Sequence, residues 1–115
     1  MTTKITDKNV SVFANAGVQW QSVVVADGST ELTAEAGKGY FIDTTSGTQT
    51  VNFPQPDNAN IGDTIIIKDF ARKFGTNNVT IASNLFEGTT NAVTLSTNDD
   101  SRTFVYTGDT KGYTL

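Results

Sequence analysis

The sequence predicts an all-β protein: an antiparallel, jelly-roll-like β-sandwich of about eight to ten short strands with an extended N-terminal arm. Short apolar runs alternate with turn residues, most clearly over residues 38–81. Turn signals recur at spacings of roughly 8 to 12 residues, the rhythm of a sandwich or barrel. No stretch of about ten residues or more keeps the apolar stripe of a helix.

Composition agrees with that class. The chain has 115 residues, 37% of them hydrophobic and only 17% charged. A length of this order suits one domain and lets roughly two-thirds of the unfolded surface be buried. Thr, Asn, Ser and Gly fill the remainder, a strand-and-turn vocabulary in which threonine hydroxyls keep outward faces wet without charge. A face with little charge is also easier to desolvate against another subunit.

The first seventeen residues are polar and small apart from Ile5, Val10, Val12 and Phe13. They read as an arm, residues 1–17, ahead of a sandwich domain, residues 18–115. A chain end orders only when something ties it down. One reading of the arm is a disordered terminus; the sharper one docks Val10, Val12 and Phe13, with Ile5, onto a neighbouring subunit.

Residues 18–25 have strand composition and are closed by the turn Asp27-Gly28-Ser29. Alternation puts Val18 and Trp20, with Ser22 and Val24, on one face. Trp20, the only tryptophan, is expected to anchor the core or a subunit contact. A strand over residues 40–45 follows, then Ser46-Gly47 as a hairpin turn and a returning strand ending at Phe53. Val51 and Phe53 share one face, Thr50 and Asn52 the other. Pro54 and Pro56 lack the amide hydrogen that a ladder needs, so the strand stops there.

After the loop at residues 57–63, Ile65, Ile66 and Ile67 suggest a central strand covered on both faces. Residues 71–76 read as a loop or one helical turn. Asn77-Asn78 supplies a turn before a strand at residues 79–82. Phe86 lies in a short strand or bend, residues 92–96 alternate well, residues 98–101 turn, and residues 103–106 return. Tyr113, Thr114 and Leu115 read as strand, so the polypeptide either stops there or belongs to the N-terminal part of something longer.

Charge and chemistry narrow the function classes. The formal net charge is −4 and the basic residues are scattered, which argues against nucleic acid as a partner. The nearest thing to a basic patch, Lys68, Arg72 and Lys73, is interrupted by Asp69 and reads as a solvated loop. No segment has the roughly 20 apolar residues of a membrane helix or the apolar core of a secretory signal, so no membrane insertion is expected. There is no cysteine, hence no disulfide framework or thiolate metal site.

With no histidine, the usual base near neutral pH is missing. Nothing in the spacing of Asp43, Asp63 and Asp69 marks a catalytic carboxylate pair; at strand ends they suit turn and capping duty. Asn98, Asp99, Asp100 and Ser101 could offer oxygens to calcium but lack the alternation and closing Glu of a calcium loop. Gly37-Lys38-Gly39 precedes a strand, which excludes a phosphate loop. Trp20, Tyr40 and Tyr106 could stack on sugar rings if they shared a face; core packing is the competing reading. No catalytic, cofactor-binding or metal residue is assigned, and no cofactor is expected.

One resemblance extends these readings. The string from Gly37 to Gly47 (GKGYFIDTTSG), then Val51-Asn52-Phe53-Pro54, then Gly62-Asp63 before an apolar strand, resembles a small β module of tailed-bacteriophage virion proteins, widespread in phages of cyanobacteria. The likeness continues through Lys68-Asp69, Phe74, Asn77 to Ile81 and Val105-Tyr106 to Gly112-Tyr113, covering about residues 30–115. It departs at the turn of residues 57–60 and around Phe86.

The resemblance implies a non-enzymatic virion scaffold, commonly trimeric. It points first to a tail-fibre or tail-appendage subunit concerned with assembly and host attachment. The alternatives are a capsid decoration protein or, further off, a carbohydrate-binding module. The implied partners are further copies of the chain, tail, baseplate or major capsid proteins, and a host surface glycan. The expected location is the virion, after synthesis in the bacterial cytoplasm.

Overall fold

The computed structural model describes residues 18–115. The expected arm, residues 1–17, and its docking residues Ile5, Val10, Val12 and Phe13 lie outside the described residues. Among those described, the chain is all-β apart from a 3₁₀ turn at Pro56–Asn58, with nine strands in two facing sheets. They are β1 (Gln19–Trp20), β2 (Val24–Val25), β3 (Leu32–Thr33), β4 (Lys38–Asp43), β5 (Gln49–Asn52), β6 (Thr64–Asp69), β7 (Val79–Ile81), β8 (Val93–Leu95) and β9 (Ser101–Val105).

The connectivity differs from the antiparallel jelly roll expected from the sequence. Sheet A runs β1-β4-β6-β9, with β2 also beside β4, and sheet B runs β3-β5-β7-β8. From β2 to β7 the chain alternates between the sheets, each strand lying parallel to the one a full turn earlier. Val24 therefore lies beside Ile42, and Ile42 beside Asp69. In the other sheet Leu32 neighbours Val51, and Val51 neighbours Ile81. Only β8 on β7 and β9 on β6 are antiparallel, and they close one end of this short β-coil.

The expected hairpin at Ser46-Gly47 is thus a corner: β4 and β5 belong to different sheets. Gly47 is fitted to that corner, since a Cβ there would come within 2.7 Å of the Gly28 amide nitrogen in the turn of the preceding coil. Alternation is a local signal and survives either way. Val51 and Phe53 face the core at 0% and 4% exposure, while Thr50 and Asn52 face outward.

Two other expectations are corrected by register. Residues 18–25 form two strands. Trp20 pairs with Gly39 and Val24 with Ile42, four residues against three, so the extra residue turns Trp20 outward while Val24 faces the core. Strand β6 is central but covered on one face only: Ile65 and Ile67 are buried, whereas Ile66 is half-buried on the outer face.

The core lies between the sheets. Its aliphatic part is Ile42, Ile65 and Ile67 from sheet A against Val51, Val79, Ile81 and Leu95 from sheet B. Its aromatic end joins Phe53 to Phe104, Tyr113 and Phe86, with ring centroids 5.0, 5.2 and 6.0 Å apart in edge-to-face arrangements. The C-terminal segment is tied into this end, since Tyr113 forms bridges with both Phe86 and Tyr106 and donates its hydroxyl to the Pro54 carbonyl at 2.9 Å.

Candidate interaction surface

The outer face of sheet A carries the feature that core packing does not explain. On β4 the residues opposite Tyr40 and Ile42 are Gly39, Phe41 and Asp43. In register beside Gly39 stand Trp20 on β1 and Ile66 on β6; beside Phe41 stands Lys68, and beside Asp43 stands Val25. The Trp20 and Phe41 rings stack with centroids 4.4 Å apart and planes 17° apart. Phe70, just past β6, meets Phe41 edge-on at 6.4 Å.

These groups are open to solvent. Trp20 is 40% exposed, Phe70 54% and Val25 67%. Gly39 makes the arrangement possible, because a Cβ there would approach the indole to 2.7 Å. A glycine inside a strand weakens it unless something uses the space, and here an aromatic side chain does. The outer face of sheet B is different in kind: Thr50, Thr80 and Thr94 stand in register across it. This aromatic cluster makes the outer face of sheet A the candidate interaction surface.

No family model matches the chain, and no curated protein matches it.

The residues expected from the sequence to act together do so only in part. Trp20 lies on the outer face of sheet A, not in the core, stacked on Phe41. Tyr40 and Tyr106 are buried, at 5% and 2% exposure, so the sugar-stacking set Trp20, Tyr40 and Tyr106 does not share a face. Phe41 and Phe70 were missed. Their signal was faint: a glycine two residues before a phenylalanine in an otherwise apolar strand.

The aspartates do turn duty. Asp43 accepts the Thr45 amide at 2.9 Å and Asp63 the Asn60 amide at 2.8 Å. Thr45, through its hydroxyl and its amide, holds the Asp43 carboxyl below its ordinary value. Asp69, 2% exposed, accepts amides from Lys73, Phe74 and Asp99 at 3.0 to 3.1 Å. It ties the loop after β6 to the turn before β9. Burial alone would raise its carboxyl, but the amides of Phe74, Lys73, Asp99 and Arg72 outweigh burial and hold it low.

Among the described residues no group of three or more His, Cys, Asp or Glu could hold a metal ion, and no helix is long and apolar enough to cross a membrane. An open hollow of about 360 Å³ is lined by Gln55, Pro56, Ser83, Asn84, Leu85 and Thr90. Asn84 spends its amide on the Phe53 and Pro54 carbonyls and its oxygen on the Leu85 amide, which leaves the hollow without its most buried polar group.

Proposed function

We propose that the chain is a non-enzymatic structural subunit of a tailed-bacteriophage virion, a tail-fibre or tail-appendage component that self-associates as a trimer. The observation that carries this reading is the outward Trp20–Phe41–Phe70 cluster, aromatic side chains packed on one another on a sheet face away from the core, with Trp20 and Phe70 open to solvent. The aspartates are consumed by backbone amides, which supports a scaffold over a catalyst. The resemblance of residues 30–115 to phage virion modules supplies the class of assembly.

In this reading three copies bring their sheet A faces together, and tail or baseplate proteins receive the N-terminal residues. Mass spectrometry of purified particles of the encoding phage tests it. The chain is expected in the particle at a small multiple of three or six copies. A count on the order of hundreds per particle makes it a capsid decoration protein instead, and absence from the particle overturns the reading.

A further inference from the structure

Residues 27–30 carry the chain from β2 in sheet A toward β3 in sheet B, and they contain the only place in the sequence where Asp or Asn precedes Gly. Asp27-Gly28 is a chemically labile pair. Glycine has no side chain to shield its amide nitrogen, and its backbone reaches the conformations that ring closure needs. The nitrogen attacks the side-chain carboxyl carbon of the preceding aspartic acid, and a C–N bond forms as the amide proton and the acid's hydroxyl leave together as water. Water then opens the cyclic imide. Opening at the main-chain carbonyl routes the backbone through the side chain as isoaspartate, with the mass unchanged and one methylene moved into the backbone.

The fold occupies this carboxyl. The Ser29 and Thr30 amides donate to one oxygen of Asp27 at 2.8 and 2.7 Å, and the Thr30 hydroxyl donates to the other at 2.7 Å. The Thr30 amide first, then its hydroxyl and the Ser29 amide, hold the carboxyl well below the usual carboxylate range. The reactive form is the neutral acid, since a carboxylate has no hydroxyl to lose.

The turn is also pinned on both sides. Before it, the Ala26 amide donates to the Asp43 carbonyl at 2.9 Å, and Ala26 is buried. After it, the buried Gln49 donates its side-chain amide to the Thr30 carbonyl at 2.8 Å. Against it lies the next corner, where a Cβ on Gly47 would come within 2.7 Å of the Gly28 nitrogen and 2.9 Å of the Asp27 carbonyl carbon. The peptide that would react is packed, and an added methylene has no room there.

We propose that Asp27-Gly28 is this chain's site of spontaneous isomerisation, and that the Thr30 cap and the Gly47 corner hold it closed. Thr30 is the controlling residue, because it supplies both a backbone and a side-chain donor to Asp27 and is itself anchored by Gln49. Reaction waits on local opening of the turn. Once formed, isoaspartate no longer fits beneath Gly47 and parts the first coil, β2 and β3, from the corner that follows it. The inference stands whether or not the protein belongs to a virion.

Ageing the full chain in neutral buffer at body temperature tests it, with isoaspartate at residue 27 measured by peptide mapping over several weeks. A synthetic peptide of residues 22–33 is the open reference, and the wild type should isomerise at least about tenfold more slowly than that peptide. Thr30→Val keeps the side chain's shape and removes its hydroxyl, so it is expected to isomerise faster than the wild type with unchanged dichroism. Thr110→Val, which alters an exposed hydroxyl outside this turn, should match the wild type. A wild type as fast as the peptide, a Thr30→Val variant no faster than the wild type, or a Thr110→Val variant as fast as Thr30→Val overturns the proposal.

Discussion

Trp20 and Phe41 form a stacked pair, centroids 4.4 Å apart, on the sheet face opposite the core, and Gly39 leaves the space that the indole fills. Each member comes from a different coil, so the pair exists only because β1 lies parallel to β4 with Trp20 beside Gly39. Replacing Gly39 by Val should expel the indole from this position. The tryptophan emission of Gly39→Val is expected to shift to longer wavelength, with the far-ultraviolet dichroism of the wild type retained. An unshifted spectrum would mean that the indole does not depend on that space.

Gly112 is the least replaceable glycine at the C-terminal end. Its φ is +72°, and a Cβ would collide with the Leu85 carbonyl, which accepts the Tyr113 amide at 2.8 Å. Gly112→Ala is expected to destabilise by about 3 kcal/mol or more, read by chemical denaturation. Gly88→Ala, also at positive φ but with only the flexible Lys111 side chain nearby, should lose about 1–2 kcal/mol.

Asp69 should govern the acid limb of stability. Its folded-state pKa lies below the ordinary aspartate value of 3.8, so its contribution is in place above that value and is lost as pH falls through the folded-state value. Asp69→Ala strands three backbone amides and is expected to destabilise by about 3 kcal/mol at neutral pH, while Asp69→Asn, which keeps an acceptor oxygen, should lose less. Denaturation between pH 2 and 6 would show a flatter acid limb in Asp69→Asn than in the wild type.

The alkaline limb belongs to two tyrosines. Tyr106 is pushed up to about 12 chiefly by donating its hydroxyl to Asp109 at 2.6 Å, and Tyr113 to about 12 chiefly by burial. Both are neutral in the fold while the unfolded chain ionises near 10, so stability is expected to fall from about pH 10 to about pH 12. Tyr113→Phe should flatten that fall, at the loss of its bond to the Pro54 carbonyl.

Thr44 is fully buried, and among the described residues its hydroxyl finds no hydrogen-bond partner. Thr44→Val keeps the shape and removes an unsatisfied polar group, so it should leave stability unchanged or raise it by up to about 1 kcal/mol. A loss of more than about 1 kcal/mol would show that the hydroxyl has a partner in solution.

The sequence made strand positions legible and strand partners illegible, for one physical reason. Alternation at Val51 and Phe53, or at Val93 and Leu95, reports which side chains a strand buries, and it reads the same in a hairpin and in a coil. Ser46-Gly47 could close a tight turn or make a corner between sheets; the choice rests on Gly28, nineteen residues before Gly47. Trp20 was legible as a residue to single out, but not as one that faces away from the core. Phe41 and Phe70 joined it only through a parallel register that no local pattern encodes, and the irregular residues between β1 and β2 reversed the face on which Trp20 was expected alongside Val24.

The central claim is that the Trp20–Phe41–Phe70 face joins copies of this chain. Light scattering coupled to size-exclusion chromatography, run on the wild type and on Trp20→Ala, tests it most directly. The account predicts a trimer for the wild type and a folded monomer for Trp20→Ala, with near-native dichroism. A wild type that stays monomeric, or a Trp20→Ala trimer as tight as the wild type, would contradict it.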